Sequence, residues 1–537
     1  MKNIIITLIP FIFYMILKYR KAVYMLQQNS YNVSNRYVKW TFKNPTKSLI
    51  TYDLIGFILI LVASIIEKKY VPYLSWMMYI FFYAYEVKLK SKEQQKKKFA
   101  VTSRVKRLFF TIFVLLGVLI FVISKIYNEN SEVICYILIL AFGYLSFVIT
   151  YITNIINIPA EKFVYYYYLN KAKRKLKNMS NLKTIGITGS YGKTSSKNIL
   201  NAILSTEFNS YPTPKSFNTP YGLMKSINNG LSKFDNVFIA EMGACKLNDI
   251  NILCKMVKPK YGIITTIGVA HLETFKSEEN IIKGKFELIE SLAKDGVAVL
   301  NKDDKKQANY KIKNKCKVIW IGIDNDADVK AKDIKLSSSG TTFKVKFKDE
   351  KEEYEFTTKL LGKHNIYNIL DALALAHEFG IPVKKMQVAV QSLQPTEHRL
   401  ELKPYKDMYI IDDAFNSNPV GSSMALDVLD LMPGTKIVVT PGMIELGDKQ
   451  YEYNFEFGKH IAKVADSVIL VGEHQTIPIK DGLKEQKYNE KNIYVLNDVK
   501  EAFILIERLK KGQTYVLFEN DLPDLFNEKW KVIKWYK

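Results

Sequence analysis

At 537 residues the chain predicts about three or four domains, and it carries a net charge of +24. Much of that excess lies beside apolar segments, including Lys96, Lys97, Lys98, Lys173, Arg174 and Lys175, so anionic lipid headgroups are the expected partner and nucleic acid is not. Cys135, Cys245, Cys254 and Cys316 show neither Cys-x-x-Cys spacing nor an accompanying histidine cluster, which argues against a structural zinc site and for reduced thiols.

The first third of the chain is rich in apolar runs. Ile4–Leu17, Leu54–Ile66, Tyr73–Val87, Leu108–Ile123 and Val133–Ile155 read as membrane spans, the last being long and free of charge. Several are shorter than the ~20 apolar residues of a membrane helix, which leaves their number and ends open. Lys18, Arg20 and Lys21 follow the first run where a signal peptide would have a small-residue cleavage site, so that run reads as an anchor. The segments Lys18–Lys47 and Lys88–Arg107 are strongly basic and predict cytoplasmic loops. Five spans then put the N-terminus outside, the rest of the chain in the cytoplasm, and the protein in the cell membrane as a multi-pass chain. Tyr165–Tyr168 and the lysines after them read either as an interfacial segment or as a plain linker helix.

Thr184–Thr188 reads as a short buried strand, and Ile199, Leu200, Ile203 and Leu204 recur at helical spacing after it. Between them lies Gly189-x-x-Gly192-Lys193-Thr194, a phosphate cradle in which Ile187 stands where a full Walker A loop has its first glycine. Backbone N–H groups at such a strand-to-helix junction converge on phosphate oxygens. Lys193 adds a point charge, and the Thr194 hydroxyl is a candidate Mg²⁺ ligand.

Val237–Ala240, Ile263–Ile267, Val297–Leu300 and Val318–Ile321 continue a parallel, doubly wound pattern. Thr341–Lys348 and Glu352–Leu360 read as an appended hairpin. A second alternating set, Tyr409–Ile411, Ile437–Val439, Val468–Val471, Ile493–Val495 and Tyr515–Phe518, follows a boundary near Gln394–Pro395. The predicted organisation is α/β: an N-terminal α-helical membrane bundle (1–158), a basic and aromatic linker (159–180), a P-loop doubly wound central domain (181–394) and a C-terminal Rossmann-like domain (395–537).

Open α/β sheets bind ligands at strand ends. Glu241 closes one strand and reads either as a Mg²⁺ ligand or as a solvated carboxylate; His271 follows another and reads either as a metal ligand or as structural. Lys285 by itself reads as a solvated helix lysine.

Six ordered motifs change that reading. Thr188-Gly-Ser-Tyr-Gly-Lys-Thr194, Glu241-Met-Gly, His271-Leu-Glu, Lys285-Phe-Glu287, Asn301-Lys-Asp-Asp304 and Gly362-Lys-His-Asn-Ile-Tyr-Asn368 together resemble the Mur ligases. Glu397-His-Arg399, Asp412-Asp-Ala-Phe-Asn-Ser-Asn-Pro419 and Gly442-Met-Ile-Glu-Leu-Gly447 are most similar to the branch of that family that adds D-Ala-D-Ala. The resemblance runs from about Leu182 to the C-terminus and covers none of the apolar third.

The resemblance implies an ATP-dependent amide ligase that works through an acyl phosphate, with ATP and Mg²⁺ as cofactors. It implies that Gly189, Gly192, Lys193 and Thr194 hold phosphate, that Thr194, Glu241, His271 and Lys285 serve metal sites, with Lys285 carbamylated, and that Asn301, His364 and Asn365 form the adenine pocket. Arg399 would reach the phosphates, Asp413 the ribose, and Asn416 and Asn418 the incoming dipeptide. Lys193, Lys285, His271 and Arg399 are thus the expected catalytic set, and UDP-MurNAc-peptide and D-Ala-D-Ala the expected substrates.

Two departures qualify the substrate. Apolar spans stand where the family has a soluble domain that grips the UDP-sugar, and Val-Leu-Phe-Glu-Asn-Asp521 stands where a Lys-Gly-Ser segment is common. A Mur-type ligase acting on another carboxylate, lipid-linked or polyglutamate-like, is the second reading. A membrane transporter retaining an idle nucleotide-binding domain is the third; Glu86 is the one charge inside the spans, and Lys193, Glu241, His271 and Lys285 are all present, which speaks against it.

Overall fold

The computed structural model describes residues 2–520 apart from 30, 32–35, 93–98, 129–130, 397, 415–417 and 445. Lys96, Lys97, Lys98, Glu397 and Asn416 therefore lie outside the described residues. The chain divides into two compact units, Met1–Tyr167 and Tyr168–Lys537.

The first unit is helical: α1 (Lys2–Gln28), α2 (Leu54–Ile66), α3 (Val71–Lys92), α4 (Ser103–Ile126), α5 (Glu132–Tyr144) and α6 (Ser146–Ile156), followed by α7 (Ile158–Lys177), within which the two units divide. Phe11 packs on Tyr79 with ring centroids 5.1 Å apart and Tyr14 on Phe82 at 5.6 Å, so α1 and α3 run parallel. Gly143 lets α5 approach α1 closely, since a Cβ there would lie 2.9 Å from the Tyr14 ring.

By length and composition, Asn3–Gln28 and Ser103–Ile126 can cross a membrane, and a third span exists if α5 and α6 are counted as one; among the described residues two or three spans, not the expected five, meet that test, since Leu54–Ile66 is too short. Three further sequence expectations change here. Val133–Ile155 is not one straight helix but two, bent by 73° about Leu145, where Gly143 and Ser146 flank the break. The first helix does not stop at Leu17 but runs on to Gln28, carrying Lys18 into the interior. Asp53, just ahead of α2, is buried as well, so Glu86 is not the one charge inside the bundle.

The second unit holds two sheets. β1 (Lys183–Thr188), β2 (Ser210–Pro212), β3 (Val237–Glu241), β4 (Tyr261–Ile264), β5 (Val297–Asn301), β6 (Lys317–Gly322), β7 (Val329–Ser337), β8 (Gly340–Phe347) and β9 (Glu353–Thr358) form one, in the order β2-β3-β1-β4-β5-β6-β7-β8-β9. Pairing is parallel up to β7 and antiparallel beyond it. The expected hairpin is thus the outer part of a three-stranded extension. β7 escapes sequence reading because its register slips between Lys332 and Lys335, with Asp333 at φ 51°.

β10 (Glu401–Tyr405), β11 (Met408–Asp413), β12 (Thr435–Thr440), β13 (Ser467–Val471), β14 (Ile493–Leu496) and β15 (Thr514–Glu519) form the other sheet, ordered β10-β11-β15-β12-β13-β14. Helices α8 (Lys193–Leu204), α9 (Glu278–Glu290) and α10 (Lys363–Glu378) belong to the first sheet's domain and α11 (Pro419–Asp430) to the second's. The β1 and β3 strands are buried almost throughout, as central parallel strands must be. Each buried Ile or Val contributes about 1.5–3 kcal/mol, and this core fixes the strand ends on which the site is built.

Candidate active site

The loop after β1 turns through two glycines at positive φ, Gly189 at 150° and Gly192 at 79°, conformations that residues with a Cβ rarely adopt. Its shape is fixed from outside. Ser190 N–H donates to Thr266 O at 2.8 Å, Ser190 Oγ to Gly268 O at 2.8 Å and Tyr191 Oη to Val269 O at 2.6 Å, while Thr265 Oγ1 donates to Tyr191 O. The segment after β4 thereby holds the loop open at the start of α8, whose first-turn N–H groups have no helical partner.

Lys193 curls over this loop, donating to Gly189 O at 2.8 Å and Ser190 O at 2.9 Å. Burial pulls its ammonium down to about 8, against the attraction of Glu241, and Arg399 adds to the fall. Thr194 Oγ1 donates to Glu241 Oε2 at 3.0 Å, so the structure brings the cradle and the β3 strand end together as the sequence implies.

Lys197 and Asn218 were not legible in the sequence. Lys197, 1% exposed, forms an ion pair with Glu241 Oε2 at 3.0 Å and donates to Lys215 O. Asn218 Nδ2 donates to Glu241 Oε1 at 3.0 Å. Both Glu241 oxygens are therefore occupied, and the carboxylate is locked in place. Lys197 has a signal in hindsight, since it lies one helical turn beyond Lys193; Asn218 has none.

Lys285 is buried in α9, its Nζ 3.4 Å from Ala244 O and 5.6 Å from the centre of the Phe275 ring. It is not a solvated helix lysine: burial, followed by the charge of Lys193, drives it down to about 7. His271 is exposed, with φ 55°, and its carbonyl accepts from Thr274 Oγ1 at 3.0 Å. Among the described residues no three His, Cys, Asp or Glu side chains gather closely enough to hold a metal.

Asn301 ends β5, its Oδ1 accepting from Asp303 N–H at 2.9 Å. Burial alone would raise the Asp303 carboxyl, but the N–H groups of Ile323, Asp324 and Asn325, at 2.6, 3.0 and 2.8 Å, hold it down at about 2. Tyr367 Oη donates to the same carboxylate at 3.0 Å. His364 is pulled down to about 4 by burial, and its Nδ1 has no hydrogen-bond partner among the described residues. Asn365 is anchored by its Nδ2 donating to Leu361 O at 2.8 Å.

Arg399 reaches this site from the second domain: its guanidinium, weakened by burial, senses the charges of Asp413, Glu241 and Glu519. Asp413 and Glu519 face each other across β11 and β15, and burial raises the Asp413 carboxyl against the pull of Arg399. A cavity of about 140 Å³ is lined by Ser195, Asn198, Leu360, Asn365, Pro395 and Arg399, joining the cradle helix to the domain junction. Asn418 caps α11, accepting from Gly421 N–H at 2.8 Å.

Comparison with known proteins agrees with this geometry. Residues 187–376 match the Mur ligase middle domain, and residues 398–518 match the Mur ligase glutamate ligase domain. The chain is 32% identical over 285 residues to the UDP-N-acetylmuramoyl-tripeptide--D-alanyl-D-alanine ligase of Bacillus subtilis, covering 52% of this chain and 60% of that one. It is 29% identical to the enzyme of the same name from Escherichia coli, covering 54% and 65%. Each alignment thus spans less than two thirds of the relative's length. Among solved structures, MurF ligase from Thermotoga maritima in complex with ADP superposes with a TM-score of 0.59 at 27% identity, over 66% of this chain and 80% of that one. MurF from Acinetobacter baumannii shares the fold at a TM-score of 0.61 and 24% identity, over 66% and 77%. Through its middle and C-terminal domains, the chain belongs to the Mur ligase family.

Proposed function

We propose that this protein is an ATP-dependent amide ligase that joins D-Ala-D-Ala to UDP-MurNAc-tripeptide in the synthesis of peptidoglycan precursors. The observation that carries the reading is the locked Lys193–Thr194–Glu241 arrangement under an arginine supplied by the second domain. In this reaction class a carboxylate attacks the γ-phosphate of ATP, and an amine then displaces phosphate from the acyl phosphate. Phosphoryl transfer of this kind needs positioning and charge neutralisation more than covalent help from the protein.

The residues present fit both groups that the reaction requires. The oxygens of Thr194 and Glu241 form a hard donor set suited to Mg²⁺, which would offset phosphate charge when bound. The unpartnered Nδ1 of His364, beside Asn365, fits the hydrogen-bonding edge of an adenine. Lys193 positions and neutralises phosphate oxygens, and Arg399 completes the site when the two domains are together. Lys285, held at about 7, presents a substantial share of neutral amine near neutrality, able to take up CO₂ as a carbamate that would serve a metal site with His271. Asp413 would hold the ribose, with Asn416 and Asn418 near the dipeptide. The helical first unit would anchor the enzyme as a multi-pass chain, basic loops and catalytic domains on the cytoplasmic side.

A ligation assay with the full chain tests this: ADP and phosphate should appear only when UDP-MurNAc-tripeptide and D-Ala-D-Ala are both supplied. ATP turnover that ignores both substrates would count against it. A second reading, ligation to a lipid-linked or polyglutamate-like carboxylate, is favoured by the helical unit ahead of the matched domains. Turnover with such an acceptor and none with the UDP-tripeptide would select it.

A further inference from the structure

The first unit buries three charged side chains that the ligase chemistry leaves unused. Lys18 in α1 is 1% exposed, Asp53 ahead of α2 is 0% and Glu86 in α3 is 4%. Lys18 Nζ lies 2.9 Å from Asp53, 3.3 Å from Thr51 Oγ1 and 4.0 Å from Glu86 Oε1, and sits 4.7 Å from the centre of the Tyr52 ring. Tyr14 Oη donates to Asp53 Oδ2 at 2.7 Å, and Tyr52 Oη donates to Glu86 Oε1 at 2.7 Å.

Two carboxylates here share one ammonium. Among the described residues Lys18 is the one cation within 4.0 Å of either carboxylate. Among the described residues, the other titratable groups packed against the cluster are tyrosines: Tyr79 stacks on Tyr14 at 5.9 Å, Tyr85 lies against Tyr52 at 4.7 Å, and Tyr136 is buried in the same core. With all three groups ionised the cluster carries one uncompensated negative charge inside an apolar bundle, an arrangement that is costly and that in membrane helices marks ion or proton sites.

A second observation lies on the same face of α3. Ser75 Oγ and Tyr79 Oη are fully buried without a hydrogen-bond partner. Residues 75, 79, 82 and 86 recur at the spacing of one helical face, so both orphaned hydroxyls share the stripe of α3 that carries Glu86. That stripe covers about 16 Å of the helix. The neutral polar side chains that bond to the three charged groups, Tyr14, Thr51 and Tyr52, are all hydroxyls, a donor set for a hard cation.

We propose that Lys18, Asp53 and Glu86, with Tyr14 and Tyr52, form a binding site for one exchangeable monovalent cation, a proton or an alkali-metal ion. The bundle is then a cation-responsive module and not a passive anchor.

The test uses the full chain in nanodiscs of zwitterionic lipid. If a proton is the occupant, infrared difference spectra across a pH step contain a carboxylic-acid C=O band that Glu86→Gln removes. If an alkali ion is the occupant, replacing choline chloride by NaCl or KCl at fixed pH raises the unfolding temperature of the wild type but not of Glu86→Gln. That variant leaves Lys18 and Asp53 as a balanced pair, so it should fold. The wild type provides a check without substitution: a hydrophobic carbodiimide, which reacts with protonated carboxyls, should label Glu86 or Asp53 less as pH or NaCl rises. A flat infrared titration with no alkali-dependent shift overturns the proposal, as does persistence of either response in Glu86→Gln or labelling that ignores both pH and salt.

Discussion

The two units each bury a lysine against a carboxylate, and they balance the charge differently. In the catalytic unit Lys197 meets Glu241 one to one, and Thr194 and Asn218 occupy the remaining carboxylate positions. In the helical unit Lys18 stands between Asp53 and Glu86, and the balance is one to two. The first arrangement is balanced in charge and holds Glu241 still, with acceptor capacity left on Oε1. The second is short of one positive charge.

Removing the lysine should expose the contrast most strongly. Breaking a buried pair costs about 3–5 kcal/mol. Lys18→Met, which leaves two carboxylates together, is expected at or beyond the top of that range; Lys197→Met, which strands one, is expected nearer its bottom. Added Mg²⁺ should restore the thermal stability of Lys197→Met and do nothing for Lys18→Met. Equal losses, followed by unfolding fluorescence of the full chain, would break the comparison.

Lys193→Ala tests the catalytic unit alone. It should lower the ligation rate by about 10²–10³-fold, the usual consequence of losing a group that stabilises developing charge, while the folding transition stays within about 1 kcal/mol of wild type.

His364 gives a pH signature. Its folded value of about 4 lies below the ordinary 6.5, so between these values the unfolded chain binds a proton that the native state refuses. Stability therefore falls as pH drops from 6.5 toward 4, by up to about 3 kcal/mol, and His364→Asn should flatten that slope in denaturant titrations. The smallest effect belongs to the surface: Lys332→Ala breaks the exposed pair with Glu353 and should cost less than about 1 kcal/mol.

Much of the catalytic unit was legible because short β-branched runs, glycines at the strand-to-helix junction and strand-end polar residues are local signals. β7 was hidden by the slip beside Asp333, and β10 by Pro404, which is tolerated because that strand lies on the sheet edge. The approach of Arg399 to Lys193 is a product of domain packing, on which no stretch of sequence reports. Lys18 and Asp53 were misread for a simpler reason: an apolar run is ended at the first charge, so the charges that α1 and the start of α2 carry inward fell one residue outside each predicted span.

Asp303 ties the strand-end loop bearing Asn301 to the 323–325 turn and, through Tyr367, to the helix bearing His364 and Asn365. If Asn301, His364 and Asn365 face the adenine as proposed, a wall clamped from three directions stands in place before the nucleotide arrives, so little ordering entropy is lost on binding. Substitutions in that wall should then change affinity mainly through the lifetime of the complex and little through its rate of formation.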